Sequence, residues 1–316
     1  GPPGGRGCRR ESHERRQRPR WRGPTLSLVP AGHAAPSCWA RGVLRPGRLR
    51  WVRILAWGLA LVLGVAGAPM GVGLVLRRVA AAQSGPALLL HIAIACACGL
   101  AAYTALVRWG ERRPVTELAP ARALPELAIG LAGGAALFSV VILLLVALGG
   151  YTLTAPRPAI PWQGISLSLS SAVIEELLFR AILFRLVWGA MGLGWALGIS
   201  SVVFGLLHLL NPPPDPMGAL SLIVEAGLLL AAAYVVTQRL FVSIGGHFGW
   251  NFTQGYVFGA HVSGTDFGPS IMRADAVRGA STWLTGGHFG PEASAPAVIA
   301  GLLAALALLA WRPARD

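Results

Sequence analysis

Lysine is absent from this 316-residue chain; all 27 basic residues are arginine. Together with 41 Gly and 23 Pro, that points to coding bias rather than to a recognition chemistry. Charge is scarce as well. Charged residues make up 13% of the chain and hydrophobic residues 54%, with a mean hydropathy of +0.59. A soluble domain carries about 25% charged residues, so an ordinary soluble fold is excluded in favour of a polytopic membrane protein. Cysteine is sparse and builds no framework. Cys8 and Cys38 lie in a basic leader, and Cys96 and Cys98 sit inside an apolar run. Cys-Ala-Cys is too tight for disulfide geometry and has no second pair with which to hold zinc, so these read as small apolar fillers. The zinc-protease pattern His-Glu-x-x-His is missing, as is any evident Ser or Cys nucleophile set with a His and an acid. No internal repeat is visible.

The formal charge of +14 would suit a nucleic-acid partner, but its location argues otherwise. Residues 1–53 hold thirteen Arg against Glu11 and Glu14, so +11 of the +14 lies there. A basic cytoplasmic leader beside anionic lipid fits that distribution, with no nucleic acid. Residues 1–50, rich in Gly, Pro and Arg and without periodicity, read as a disordered leader. It is not a signal peptide, because no apolar core follows the arginines before Val52.

Residues 51–316 read as one membrane-embedded domain. The expected fold is all-α, a polytopic integral membrane helical bundle of about eight transmembrane helices. Eight apolar runs are each long enough, or nearly so, to cross a hydrocarbon core of ~30 Å. They are 52–76, 87–107, 127–148, 165–188, 193–210, 218–236, 241–260 and 295–311. Arginine placement favours a cytoplasmic N-terminus, with 21 Arg inside, Arg185 and Arg239 among them, against five outside. The composition points to a bacterial plasma membrane.

Ionisable groups within these runs are the anomaly. They are His91, Glu175, Glu176, Arg180, His208, Glu225 and His247. A charge near the centre of a membrane helix costs about 2.5–3.5 kcal/mol on insertion scales, a cost usually kept for function. At ~100° per residue, Glu176 and Arg180 lie within about 40° of each other and can pair. Glu175 lies about 140° from Arg180 and stays free to face other helices. Phe204 and His208 share one helix face, as do His247 and Asn251. Gly205, Gly245, Gly246 and Gly249 allow close helix approach around them.

Brought together, these groups supply one free carboxylate, two imidazoles and a carboxamide. A carboxylate moved partly out of water can take a proton from a water molecule, which histidines can orient or hold on a metal. A carboxamide can donate to a developing oxyanion. Water-mediated hydrolysis is the chemistry this set fits. Glu225 stays open as a supporting partner, a proton carrier or a group at the cavity mouth. Phe204 reads as packing, His91 as structural, and His261 and His288 as loop histidines without a visible partner. One level difficulty is built in: measured from the run ends, His208 and His247 differ by roughly 12 Å in depth.

These residues resemble the CPBP intramembrane protease family, which includes the type II CAAX prenyl endopeptidases and the bacterial Abi, bacteriocin-immunity-like proteins. Its pattern is Glu-Glu-x-x-x-Arg, Phe-x-x-x-His and His-x-x-x-Asn. Here these are Glu175-Glu176-Leu-Leu-Phe-Arg180, Phe204-Gly-Leu-Leu-His208 and His247-Phe-Gly-Trp-Asn251, intact and in order over about 165–260. The resemblance implies an intramembrane endopeptidase acting on a membrane-associated protein or peptide. It implies that Glu175 activates water, His208 positions it, and His247 and Asn251 stabilise the oxyanion, with Glu176 and Arg180 in support. No cofactor is demanded; zinc is the metal that Glu175, His208 and His247 could take, yet the same set can hold a bare water. The reading taken is metal-independent. Two other readings remain: a proton-coupled transporter using Glu175, Glu225 and His208, and a non-catalytic immunity or scaffold protein. The segment Gly286-Gly-His-Phe-Gly-Pro-Glu-Ala-Ser294 looks like a C-terminal feature of some bacterial members.

Overall fold

The computed structural model describes Trp39 and residues 42–79, 84–154 and 160–311. Each of the eight apolar runs is a helix, so the chain is an all-α membrane bundle. In chain order the first three are Arg50–Val79, Gly85–Leu106 and Ala123–Ala147. The fourth covers 162–191, the fifth Leu193–Leu207, the sixth 216–237, the seventh 240–257, and the eighth Ala295–Ala310. Five stretches, Arg50–Val75, Gly85–Glu111, Thr116–Ala147, Leu193–Leu210 and Pro216–Thr237, are long and apolar enough to cross a membrane. The fourth and seventh, which carry half of the buried polar residues described, are not among them.

Outward faces are apolar, as lipid exposure requires: Leu55, Leu59, Val140, Leu143, Ile299 and Leu303 are all exposed. Inside, the main core is built around the fourth helix, with Leu177, Ala181, Phe184 and Trp188 meeting Tyr103 and Tyr234. Trp39, from the stretch read as leader, is buried between Trp188 and Tyr234, with ring centroids 5.5 and 6.5 Å away. Residues 1–38 and 40–41, and with them the leader's expected disorder, lie outside the described residues, as do Arg157, Arg312 and Arg315.

Helices three and seven make the most intimate contact. A Cβ on Gly130 would land on the carbonyl oxygen of Val242, and one on Gly134 on that of Gly246. From the other side, Gly245 and Gly249 face the carbonyl oxygens of Leu127 and Leu131. Glycine is therefore needed at four facing positions, because the two backbones touch. Gly205 does the same between helices five and six, against the carbonyl of Ala219. Gly246 differs from expectation: its own Cβ would meet only Leu230 Cδ2 at 3.6 Å and the Gly130 carbonyl oxygen at 3.8 Å, ordinary contacts.

Two features depart from the sequence expectation. First, a short antiparallel pair, β1 (Tyr151–Thr154) and β2 (Arg273–Ala276), ties the end of helix three to the segment before helix eight. Four residues of alternation are too few to register as a strand signal. Second, Arg185 is not a loop charge. Its side chain is fully buried and bidentate on Glu111 at 2.6 and 2.9 Å. Arg113 links Glu111 (2.6 Å) to Glu117 (2.7 Å), and Trp57 Nε1 donates to Glu111 at 2.8 Å. Glu117 also accepts from the Tyr103 hydroxyl. Such a network escapes sequence reading because its members lie up to 74 residues apart.

Candidate active site

The fourth helix changes character where its charges sit. It is α-helical to Glu176 and then runs in wider i→i+5 turns over Leu177–Phe184. Similar turns occupy Ile223–Leu228 in helix six, which includes Glu225, and Thr253–Val257 just after Asn251. Turns of this kind leave backbone carbonyls without their usual partners and are frequent at functional sites. Here Ala181 O takes bonds from Arg185 Nε (2.7 Å) and the Tyr103 hydroxyl (3.2 Å), so the buried charge network clamps the irregular stretch.

Glu176 and Arg180 are both fully buried and paired at 2.8 Å, as the i, i+4 spacing predicts. Arg180 also donates to the carbonyls of Ala226 (3.1 Å) and Gly227 (3.3 Å), and its guanidinium lies 4.9 Å from the Phe204 ring centroid. The same oxygen of Glu176 faces His247 Nδ1 at 3.0 Å. That leaves Nε2 of His247 pointing toward Glu175, whose Oε2 is 3.9 Å away. Glu175 is partly exposed, and that oxygen has no hydrogen-bond partner among the described residues. The pairing expected from helical phase is therefore seen: Glu176 binds Arg180 through Oε1, its Oε2 having no partner among the described residues, while Glu175 forms no ion pair with Arg180.

His208 ends helix five, with Nδ1 2.9 Å from the carbonyl oxygen of Phe204. A carbonyl only accepts, so the Nδ1 proton donates to it and Nε2 of the neutral ring is an acceptor. Phe204 is more than filler. Its ring centroid is 4.8 Å from that of His208 and 6.4 Å from that of His247, and it packs edge-on against Phe179 at 4.8 Å. Both histidines thus meet at one aromatic ring, which brings them too close together for the roughly 12 Å depth offset inferred from run ends. Asn251 Nδ2 donates to Ser171 Oγ at 3.0 Å. Ser171 precedes Glu175 by four residues, a same-face spacing through which the sequence could have revealed it.

Glu175, His208, His247 and Asn251 open onto one cavity of about 840 Å³, together with Ser171, Glu225 and Glu292. Glu292 was not singled out by sequence. It lies in the Gly286–Ser294 segment, whose turns place it under the cavity. Its Oε1 accepts from the Ser263 N–H (2.5 Å) and hydroxyl (2.8 Å). Burial pushes its carboxyl above the usual range, opposed by the Ser263 hydrogen bonds and by nearby His208. The loop histidines do have a partner: His261 and His288 rings lie 6.0 Å apart, with His261 Nδ1 3.4 Å from the His288 carbonyl. His91 packs beside Gly73, outside the cavity.

The donor types of Glu175, His208 and His247 suit zinc, but among the described residues no three His, Cys, Asp or Glu groups gather closely enough to hold a metal. The residues as placed do not form a ligand set, and no step below runs through one.

The helical bundle thus encloses a cavity lined by carboxylate, imidazole and carboxamide groups. Residues 157–253 match the family model described as type II CAAX prenyl endopeptidase Rce1-like, the family that the three motifs resemble. The matched segment contains the fourth to sixth helices and the seventh through Thr253, and so all seven motif side chains. It is thus similar to a protease domain and sits within a bundle that has five stretches long and apolar enough to cross a membrane. No curated protein and no solved structure matches the chain.

Proposed function

We propose that this protein is an intramembrane endopeptidase that hydrolyses a peptide bond of a membrane-associated protein or peptide, with Glu175 activating the water. The observation that carries this reading is the approach of Glu175 Oε2 to His247 Nε2, 3.9 Å apart, at a cavity that His208 and Asn251 also reach. The distance is too long for a hydrogen bond, so both groups keep their bonding capacity for a reacting oxygen that sits beside the pair.

Glu175 takes a proton from water as the water oxygen attacks the scissile carbonyl carbon. His208 Nε2, an acceptor, orients that water. The carbonyl oxygen becomes an oxyanion facing His247 and the second Nδ2 hydrogen of Asn251, the first being held by Ser171. The C–N bond then breaks, and Glu175 passes the proton to the leaving nitrogen. Glu176, 3.0 Å from Nδ1, fixes the orientation of the His247 ring. Arg180 fixes Glu176 and takes no part in bond making.

The test is a comparison of membrane-associated peptides from cells carrying wild-type or Glu175→Gln protein, with membrane insertion checked in both. Peptides that depend on Glu175, and at least a hundredfold slower cleavage of one of them by the purified variant, are expected. Unchanged cleavage by Glu175→Gln overturns the reading. A chelator arm decides the metal question: activity that survives leaves Glu175 to act on water alone, while loss restored by zinc makes the protein a metalloenzyme.

A further inference from the structure

The cavity is more acidic than hydrolysis by a single glutamate requires. Among its described lining residues are three carboxylates, Glu175, Glu225 and Glu292, and no arginine. Glu225 is 1% exposed, and its Oε2 has no hydrogen-bond partner among the described residues. Helix eight presses on it at Gly301, where a Cβ would come within 2.9 Å of Glu225 Cα, so backbone packing holds the carboxyl in place. Glu292 is 2% exposed and is backed by the two Ser263 donors, which favour its ionised form. Both carboxyls line the same cavity, and Ser221, four residues before Glu225, donates to the carbonyl of Ala293, the residue after Glu292, at 3.4 Å.

Buried carboxylates persist when a cation, a metal or a shared proton compensates them. Among the described residues no arginine lines the cavity, Arg180 being held by Glu176 and by the carbonyls of Ala226 and Gly227, and the basic group nearest Glu292 is the His208 imidazole. No three-ligand metal group is present among the described residues. The surrounding wall is apolar, with Leu137, Leu222, Leu230, Trp250 and Phe267.

Resting on the proteolytic reading above, we propose that Glu225 and Glu292 form a cation-binding subsite for the side chain of a lysine or arginine near the scissile bond of an otherwise apolar substrate peptide. The Ser263 donors hold Glu292 in place, while the unpartnered Glu225 oxygen meets the incoming ammonium or guanidinium. Recognition then comes from removing a cation from water into a site with two carboxylates ready for it. Substrates with a neutral residue at this position leave those carboxylates uncompensated.

The test measures binding rather than cleavage, so it stands or falls apart from the hydrolytic role of Glu175. Full-length protein in zwitterionic nanodiscs is titrated with N-acetylated, C-amidated Leu-Leu-Lys-Leu and with its isosteric norleucine counterpart. The lysine peptide is expected to bind at least about tenfold more tightly. That preference should persist in Glu175→Gln and shrink in Glu225→Gln and in Glu292→Gln. Equal affinities in the wild-type protein overturn the proposal in favour of a proton shared by the two carboxyls; this arm needs no variant to fold. A preference lost in Glu175→Gln but kept in the other two variants also overturns it.

Discussion

At the scale of single residues, the site turns on the different fates of two adjacent glutamates. Glu176 binds Arg180 and His247 through one oxygen, while Glu175 lines the cavity and has no ion pair with Arg180. Arg180 is the more demanding of the supporting groups, because it reaches Glu176, two carbonyls of helix six and the Phe204 face at once. A lysine offers one compact ammonium in place of that planar fork. Arg180→Lys is therefore expected to leave the protein inserted but to lower kcat/KM on the order of a hundredfold, through misplacement of Glu176 and hence His247. Cleavage assays on purified protein check this, and wild-type rates in Arg180→Lys would show that the pair does not position His247. The pairing itself could be read from i, i+4 spacing. The reach to Ala226 and Gly227, across 46 and 47 residues, could not.

At the scale of elements, glycine decides how His247 and Asn251 come to face the site. Helix seven lies backbone to backbone on helix three, and that contact sets its rotation and depth. A methyl at Gly249 meets the Leu131 carbonyl and has nowhere to move, whereas a methyl at Gly246 finds ordinary contacts. Gly249→Ala is thus expected to lower the yield of folded protein sharply or to cost about 1–3 kcal/mol from overpacking, and Gly246→Ala to fold normally. Thermal unfolding of the two variants in one detergent makes the comparison; equal stability would contradict the packing described. The sequence pattern pointed to both glycines alike. Only the helix axes tell them apart, since the direction of a missing Cβ depends on the neighbour it would strike.

At the scale of the whole molecule, one buried ionic network joins helices two and four and the segment leading into helix three. Arg185, Glu111, Arg113 and Glu117 neutralise each other out of water. Removing one member strands a charge, which costs about 3–5 kcal/mol in buried pairs. Arg185→Met is expected to destabilise the protein by that order and to loosen the Ala181 carbonyl it holds. By contrast, the exposed Arg273–Asp275 pair on the β ribbon contributes little, so Arg273→Ala should unfold at nearly the wild-type temperature. Calorimetry or thermofluor on both variants separates the two cases. A stable Arg185→Met would mean that apolar packing alone holds the helices in place.

The sequence by itself determined the fold class of the protein and named most of the residues of its candidate site. Length and apolarity specify membrane helices, because backbone polar groups in lipid must bond within their own segment. Charges placed in such helices stand out for their cost, which is why Glu175, Glu176, Arg180, His208 and His247 were legible. Tertiary structure decided what those local rules do not reach. It placed Glu292 and Ser263 at the cavity from a loop with no apolar signal, buried Arg185 against Glu111, and brought two histidines of unequal apparent depth to one phenylalanine. Each of these depends on contacts between residues far apart in the chain. Periodicity records which face of a helix is apolar, but not which neighbour that face will meet.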